Sequence, residues 1–198
     1  MLASRRLLAT SRRSPVLAVM NVGRQRAALD DPIMSEFAKA TEPVNALARA
    51  TPGFVWSYDN DDPAVRATVN ELAGDPLLQP QLSVWQDVES LRHFAFKSGH
   101  AMYFKRKREW FDEIPPPFSV LWWREPETLP SMLEAFERLR FLRDHGPSAH
   151  AFTFKSARDF PPALSYESRS SLSRRWENET AAREISRGPS IYEGLGRP

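Results

Sequence analysis

The stretch VLAVMNVGR, from Val16 to Arg24, is apolar on both of its alternations, and so is FSVLWW, from Phe118 to Trp123. Successive side chains of a strand point to opposite faces, so apolar residues at nearly every position mark a strand covered on both sides. Val120 and Trp122 point one way, Leu121 and Trp123 the other. The two segments predict strands of a sheet that needs cover on both faces.

The elements around them follow from caps and spacing. Asp30, Asp31 and Pro32 predict a helix start, and Met34, Phe37, Ala38, Thr41, Val44 and Ala48 give that helix one inward face before Pro52 and Gly53 end it. Pro43 lies inside and predicts a kink or a short break. Phe54 to Tyr58 predicts a second strand, running into the acidic turn Asp59 to Asp62 and a long connection through Gly74, Asp75 and Pro76. Leu77 to Trp85 predicts a third strand, which Pro80 assigns to an edge or a bulge. Asp87 caps one long helix running to about Phe111. After Phe118 to Trp123, the capping-box spacing of Ser131 and Glu134 starts a third helix. It carries Leu133, Phe136, Leu139 and Leu142 inward and stops at Gly146, and Ala151 to Phe154 adds a short last strand.

Strand, helix, strand, strand, helix, strand is the split βαβ order of an α+β, ferredoxin-like sandwich: a four-stranded antiparallel sheet with its helices on one face. Its other face then has no cover within the chain, and a large exposed apolar face favours association. A homodimer packing sheet on sheet, a dimeric α/β barrel, supplies that cover.

At 198 residues the chain suits one domain, expected over residues 15–160. With no cysteine, disulfides, thiolate nucleophiles and sulfur-bound zinc are excluded. The net charge of +2 is small despite a pI near 9.1, so nucleic acid is not an expected partner. Charged residues interrupt every long apolar run, and no membrane span is expected. Residues 1–14, MLASRRLLATSRRS, hold four arginines and no acid. They suit a transit peptide to the mitochondrial or another organelle matrix; the other reading is a frayed basic end of a cytoplasmic chain. Residues 161–198 are rich in Ser, Arg and Glu and are expected to be largely disordered, with Ser170, Ser171 and Ser173 beside Arg174 and Arg175 in the pattern of a kinase target.

The phrases LAVMNVGR, NALARATPGFVW, LSVWQDVESLRHFAFKSGH, KRKREWF, LWW and LEAFERLRFLRDHGPSAHAFTF together resemble the family of domains of unknown function 3291. The most specific parts are SVW at 83–85, SGH at 98–100, REWF at 108–111 and LWW at 121–123. The resemblance implies the dimeric α/β-barrel superfamily that includes antibiotic-biosynthesis monooxygenases, and it carries the fold and the dimer across without an activity. The chain departs from the expected pattern at Pro80 and Gln81, where an Asn is awaited. Some barrels of this superfamily degrade haem with a first-strand Asn and a helical Trp and His. Asn21 matches, but the helix positions fall on Phe94 and Phe104, so an axial haem ligand is lacking.

Candidate chemistry gathers on the expected long helix. His93, Phe96, His100, Tyr103, Lys107 and Trp110 repeat at three and four, giving one aromatic and basic face. His100 is the candidate base, with Gly99 leaving room beside it. Asn21, the one polar side chain of the first strand, is expected to be buried and to meet a ligand. Trp56, Trp85, Tyr103, Trp110 and Trp122 are the candidate lining of a pocket for a small hydrophobic or aromatic ligand, with core or dimer-interface roles as the alternative. The sequence shows no metal-ligand spacing, no Gly-rich phosphate loop and no nucleophile elbow, so neither metal nor cofactor is expected. Two functions remain: small-molecule binding with cofactor-free monooxygenase-like or cyclase-like chemistry on an aromatic or polyketide-like compound, and a non-catalytic homodimeric interaction module.

Overall fold

The computed structural model describes residues 14–59 and 63–162, with residues 63–65 as backbone alone; the expected leader and nearly all of the expected tail lie outside them. In chain order the elements are β1 (Val16–Gln25), α1 (Ser35–Ala50), β2 (Phe54–Ser57), α2 (Pro63–Ala73), β3 (Leu78–Trp85), α3 (Val88–Lys97), α4 (His100–Lys105), β4 (Phe111–Asp112), β5 (Ser119–Arg124) and α5 (Met132–His145). Short 3-10 turns occupy Pro32–Met34, Lys107–Glu109 and Ala157–Asp159.

The sheet has five strands, all antiparallel, in place of the expected four. β1 is central, with β3 on one side and β2 beyond it. β5 and the two-residue β4 share the other edge of β1. Register is continuous along β1: Leu17 faces Trp85 and Trp123, Val19 faces Ser83 and Leu121, and Asn21 faces Gln81 and Ser119. Pro80 stands opposite Val22, whose N–H goes to the Phe118 carbonyl on the β5 side. The proline nitrogen therefore points away from β1, and the central ladder loses no bond.

Both faces of the sheet are covered by the chain itself. On one face Val16, Ala18, Met20, Leu82, Val84, Val120 and Trp122 pack under α2 and α5, through Val69, Ala73, Ala135, Phe136, Leu139 and Leu142. On the other, Leu17, Val19, Trp85 and Leu121 pack under α3, the end of α1 and the segment carrying Phe152, Phe154 and Phe160. The helices on one face of the sequence reading are thus corrected to helices on both. The unseen cover was α2, read as loop, together with α5 laid across the supposedly bare side. Met20, Val120 and Trp122, on the side under α2 and α5, are 0% exposed in one chain. Burying side chains of this size contributes roughly 1.5–3 kcal/mol each, and one chain supplies that burial on both faces.

The caps form as chemistry requires. Asp31, Asp87 and Ser131 each accept a backbone N–H two or three residues on. α1 runs through Pro43 without interruption. In α5 Met132, Ala135, Phe136, Leu139 and Leu142 point inward, whereas Leu133 is 48% exposed. Glu134 binds Arg124 and Arg138 with its carboxylate, and Arg138 lies 5.2 Å over the Trp122 ring. The expected last strand reduces to a single bridge of Leu121 with Phe152. The expected long helix from Asp87 is broken: Ser98 is extended, with ψ −177°, and its Oγ donates to the Phe94 carbonyl at 2.6 Å and accepts the His100 N–H at 3.2 Å.

Two measurements check these packing claims. Gly53 has φ +86°, and an added Cβ would stand 2.1 Å from Ser90 Oγ. Gly53→Ala is expected to lower unfolding free energy by about 2 kcal/mol or more in urea titration, from strain plus clash. His150 is pushed down to about 3, first by burial and then by the Arg138 cation. The unfolded chain takes up that proton near the ordinary value of 6.5 while the folded chain resists until about 3. Stability is therefore full above 6.5 and falls with pH in between, by up to about 1.4 kcal/mol per unit from this group. His150→Asn is expected to flatten that slope, and an unchanged slope would contradict the assignment.

Candidate functional site

The face of the sheet that carries Leu17 and Val19 changes character further along. Rows of direct neighbours run across β3, β1 and β5: Trp85, Leu17, Trp123; then Ser83, Val19, Leu121; then Gln81, Asn21, Ser119. The third row is wholly polar and neutral. Asn21, at its centre on the central strand, is exposed, and Gln81 and Ser119 are half-buried. A central-strand side chain reaches solvent only where the layer above it is open, so there is a gap in the helical cover at this row. The expectation of a buried Asn21 is corrected: its amide is solvated, because no helix crosses above it.

The gap is bounded at both ends by aromatic groups. At one end Phe111 lies on Gly23, where an added Cβ would come within 2.7 Å of its ring. Phe37 from α1 meets Phe111 edge-on at 5.0 Å and Trp110 at 6.0 Å. At the other end Trp85 stacks on Phe94 at 5.2 Å, and Phe94 stacks on His100 at 4.8 Å. Phe104 follows at 6.2 Å from His100. On the β5 side, Lys107 Nζ stands 5.0 Å from the Phe104 ring centre and 4.7 Å from that of Phe118, the residue before Ser119.

His100 opens α4 and is half-buried. Its Nδ1 lies 3.1 Å from the Ala95 carbonyl oxygen. That oxygen only accepts, so Nδ1 carries the proton and Nε2 keeps its lone pair. Burial pushes the imidazole below its ordinary value, against a smaller opposing effect of the Ala95 bond. The arrangement holds a neutral imidazole as a hydrogen-bond acceptor or base. Gly99 has an ordinary φ of −57°, and its Cα packs toward Leu47, whose Cδ2 would lie 3.4 Å from an added Cβ. Gly99 is exposed, and neither its backbone angle nor that single contact demands a glycine.

The predicted lining is divided between the faces. Trp85 belongs with His100 through Phe94, and Tyr103 lies 6.3 Å from Trp110. Trp56 and Trp122 pack on the opposite face, so they cannot share a pocket with Asn21 or His100. Trp85, Trp110 and Trp122 are 1%, 3% and 0% exposed, which makes them core. Two shallow depressions of about 400 and 500 Å³ lie against Pro32, Ser35 and Lys39, one of them touching Trp110, and neither reaches Asn21 or His100. Among the described residues no group of three His, Asp or Glu side chains is placed to hold a metal. Sequence reading missed the row partners Gln81 and Ser119; their signal was the polar alternation of β3 at Gln79, Gln81 and Ser83.

For His100, nitrogen-15 NMR is expected to show a protonated Nδ1, a bare Nε2 at neutral pH, and a titration midpoint below 6.5. A protonated Nε2 would contradict the assigned tautomer.

Comparison with known proteins places the chain. No curated protein matches it. The crystal structure of PA3566 from Pseudomonas aeruginosa is similar at a TM-score of 0.36 and 12% identity, covering 59% of this chain and 98% of that chain. A family model described as a domain of unknown function, DUF3291, matches residues 16–168. That span is most of the chain, and the protein belongs to the DUF3291 family.

Proposed function

We propose that the protein binds a small aromatic ligand over the polar row Gln81, Asn21, Ser119. The exposure of Asn21 on the central strand carries this reading. Buried or semi-enclosed sites take most of their affinity from apolar contact and their orientation from a few polar groups. The gap offers both in one place: a neutral hydrogen-bonding floor between two groups of aromatic rings. A cofactor-free monooxygenase-like or cyclase-like reaction on an aromatic or polyketide-like compound would use His100 as its proton acceptor.

The strand order, with β2 and β3 on one side of β1 and β5 on the other, supports reading the core as a ferredoxin-like unit. On that reading the chain is a relative of the antibiotic-biosynthesis-monooxygenase-like superfamily in which α2 and α5 stand where a dimeric barrel places its partner's sheet. The same proposal extends to residues 1–14 as an organelle-targeting leader, residues 15–160 as the functional domain and residues 161–198 as a tail.

A non-catalytic interaction module is the second reading. The observation that favours it is the full burial of Trp85 and Trp122, which gives the most conspicuous aromatics a packing role. A homodimer in that reading would meet through helices or loops.

Titration of the full chain with the neutral probe 2-naphthamide, followed by NMR, separates the two. Shifts are expected to concentrate at Asn21, Gln81 and Ser119. Asn21→Ala is expected to weaken binding by roughly 2- to 10-fold, the worth of one hydrogen bond. Saturable binding elsewhere, or an affinity indifferent to Asn21→Ala, would defeat the ligand-site reading.

A further inference from the structure

We infer that Lys107 makes the ligand of this opening an anion, a carboxylate or an ionised phenol carried on an aromatic ring. The inference rests on the proposed site over Asn21 and adds to it the charge of what binds there.

The floor of the opening bears no charge, so a charged ligand must find its counter-ion at the rim. The segment Lys105 to Arg108 presents four cations in succession, and two are already spoken for. Arg106 binds Glu36 and Glu109, and Arg108 binds Glu113. Among the described residues Lys107 is paired with no carboxylate. Its ammonium is held between the rings of Phe104 and Phe118 at 5.0 and 4.7 Å. Two aromatic faces fix a cation in place while leaving its hydrogen-bond donors unspent.

Its position matters as much as its charge. Lys107 lies on the segment that runs from His100, at one end of the opening, to Phe111, which lies on Gly23 at the other, and Phe118 is the residue before Ser119, the register partner of Asn21. Phe104 and Phe118 are 38% and 36% exposed, so the rings that hold the ammonium also offer apolar surface to solvent. An aromatic acid satisfies all three features at once: its ring against Phe104 or Phe118, its anionic oxygen on Lys107, and its polar substituents on Asn21 and Ser119. A neutral aromatic compound would leave the ammonium uncompensated by the ligand. Charge-assisted hydrogen bonds of this type are about twice as strong as neutral ones.

The test uses isosteric probes on the full chain: 2-naphthoate and 2-naphthamide, titrated against the wild type, Lys107→Met, Lys107→Arg and Asn21→Ala. Wild type is expected to prefer naphthoate by about tenfold. Lys107→Met is expected to abolish the preference, and Lys107→Arg to retain it. Asn21→Ala is expected to weaken naphthamide. Equal affinities in wild type, or a preference that survives Lys107→Met, would overturn the anion inference while Asn21-dependent naphthamide binding leaves the site standing. Failure of both probes to bind wild type at millimolar concentration would overturn the inference and the site together.

Discussion

Burial of β1 on both of its faces is the constraint from which the rest of this fold follows. A strand whose sequence is VLAVMNVGR presents apolar side chains up and down, and water must be kept from both sets. The chain meets this demand with two unlike covers. α2 and α5 form one layer, while α3, the end of α1 and the Phe152 to Phe160 segment form the other. Antiparallel pairing with β3 and β5 satisfies the backbone of β1 on both edges, so Leu17 to Met20 are enclosed in all directions.

The candidate site is the place where that enclosure stops. Past Val19 the second layer opens, and the sheet answers with polar residues on three adjacent strands. The change from Leu121 to Ser119 and from Val19 to Asn21 happens within one step of the register. Such a coordinated switch puts hydrogen-bonding groups where a helix would otherwise lie. The neutral His100, stacked through Phe94 onto the core residue Trp85, is fixed by the same aromatic packing that ends the covered region. Rigid support of this kind holds a site's polar groups with little reorganisation.

Much of this was legible in the sequence, and the failures have physical causes. Strands showed through two-sided apolarity, and helix starts through Asp31, Asp87 and Ser131, because caps act locally and read the same in any context. α2 escapes because, among its described side chains from Arg66 to Ala73, only Val69 and Ala73 are fully buried. Without α2 the sequence shows no cover for one sheet face, which is why it points to a second copy. The break after Lys97 escaped because helical spacing continues across it; Ser98 ends the helix through its own side-chain bonds. The division of tryptophans between faces depends on register, which spacing alone does not supply, so Trp56 and Trp122 were grouped with residues on the far side of the sheet.

Single-chain coverage of both sheet faces is tested most directly by equilibrium unfolding of the full chain across about a hundredfold range of protein concentration, with hydrogen exchange on the β1 amides. One midpoint is expected at every concentration, with the amides of Leu17 to Met20 exchanging only through global unfolding. A midpoint that climbs with concentration, together with β1 protection lost on dilution, would show that a second copy supplies the cover and would contradict single-chain coverage.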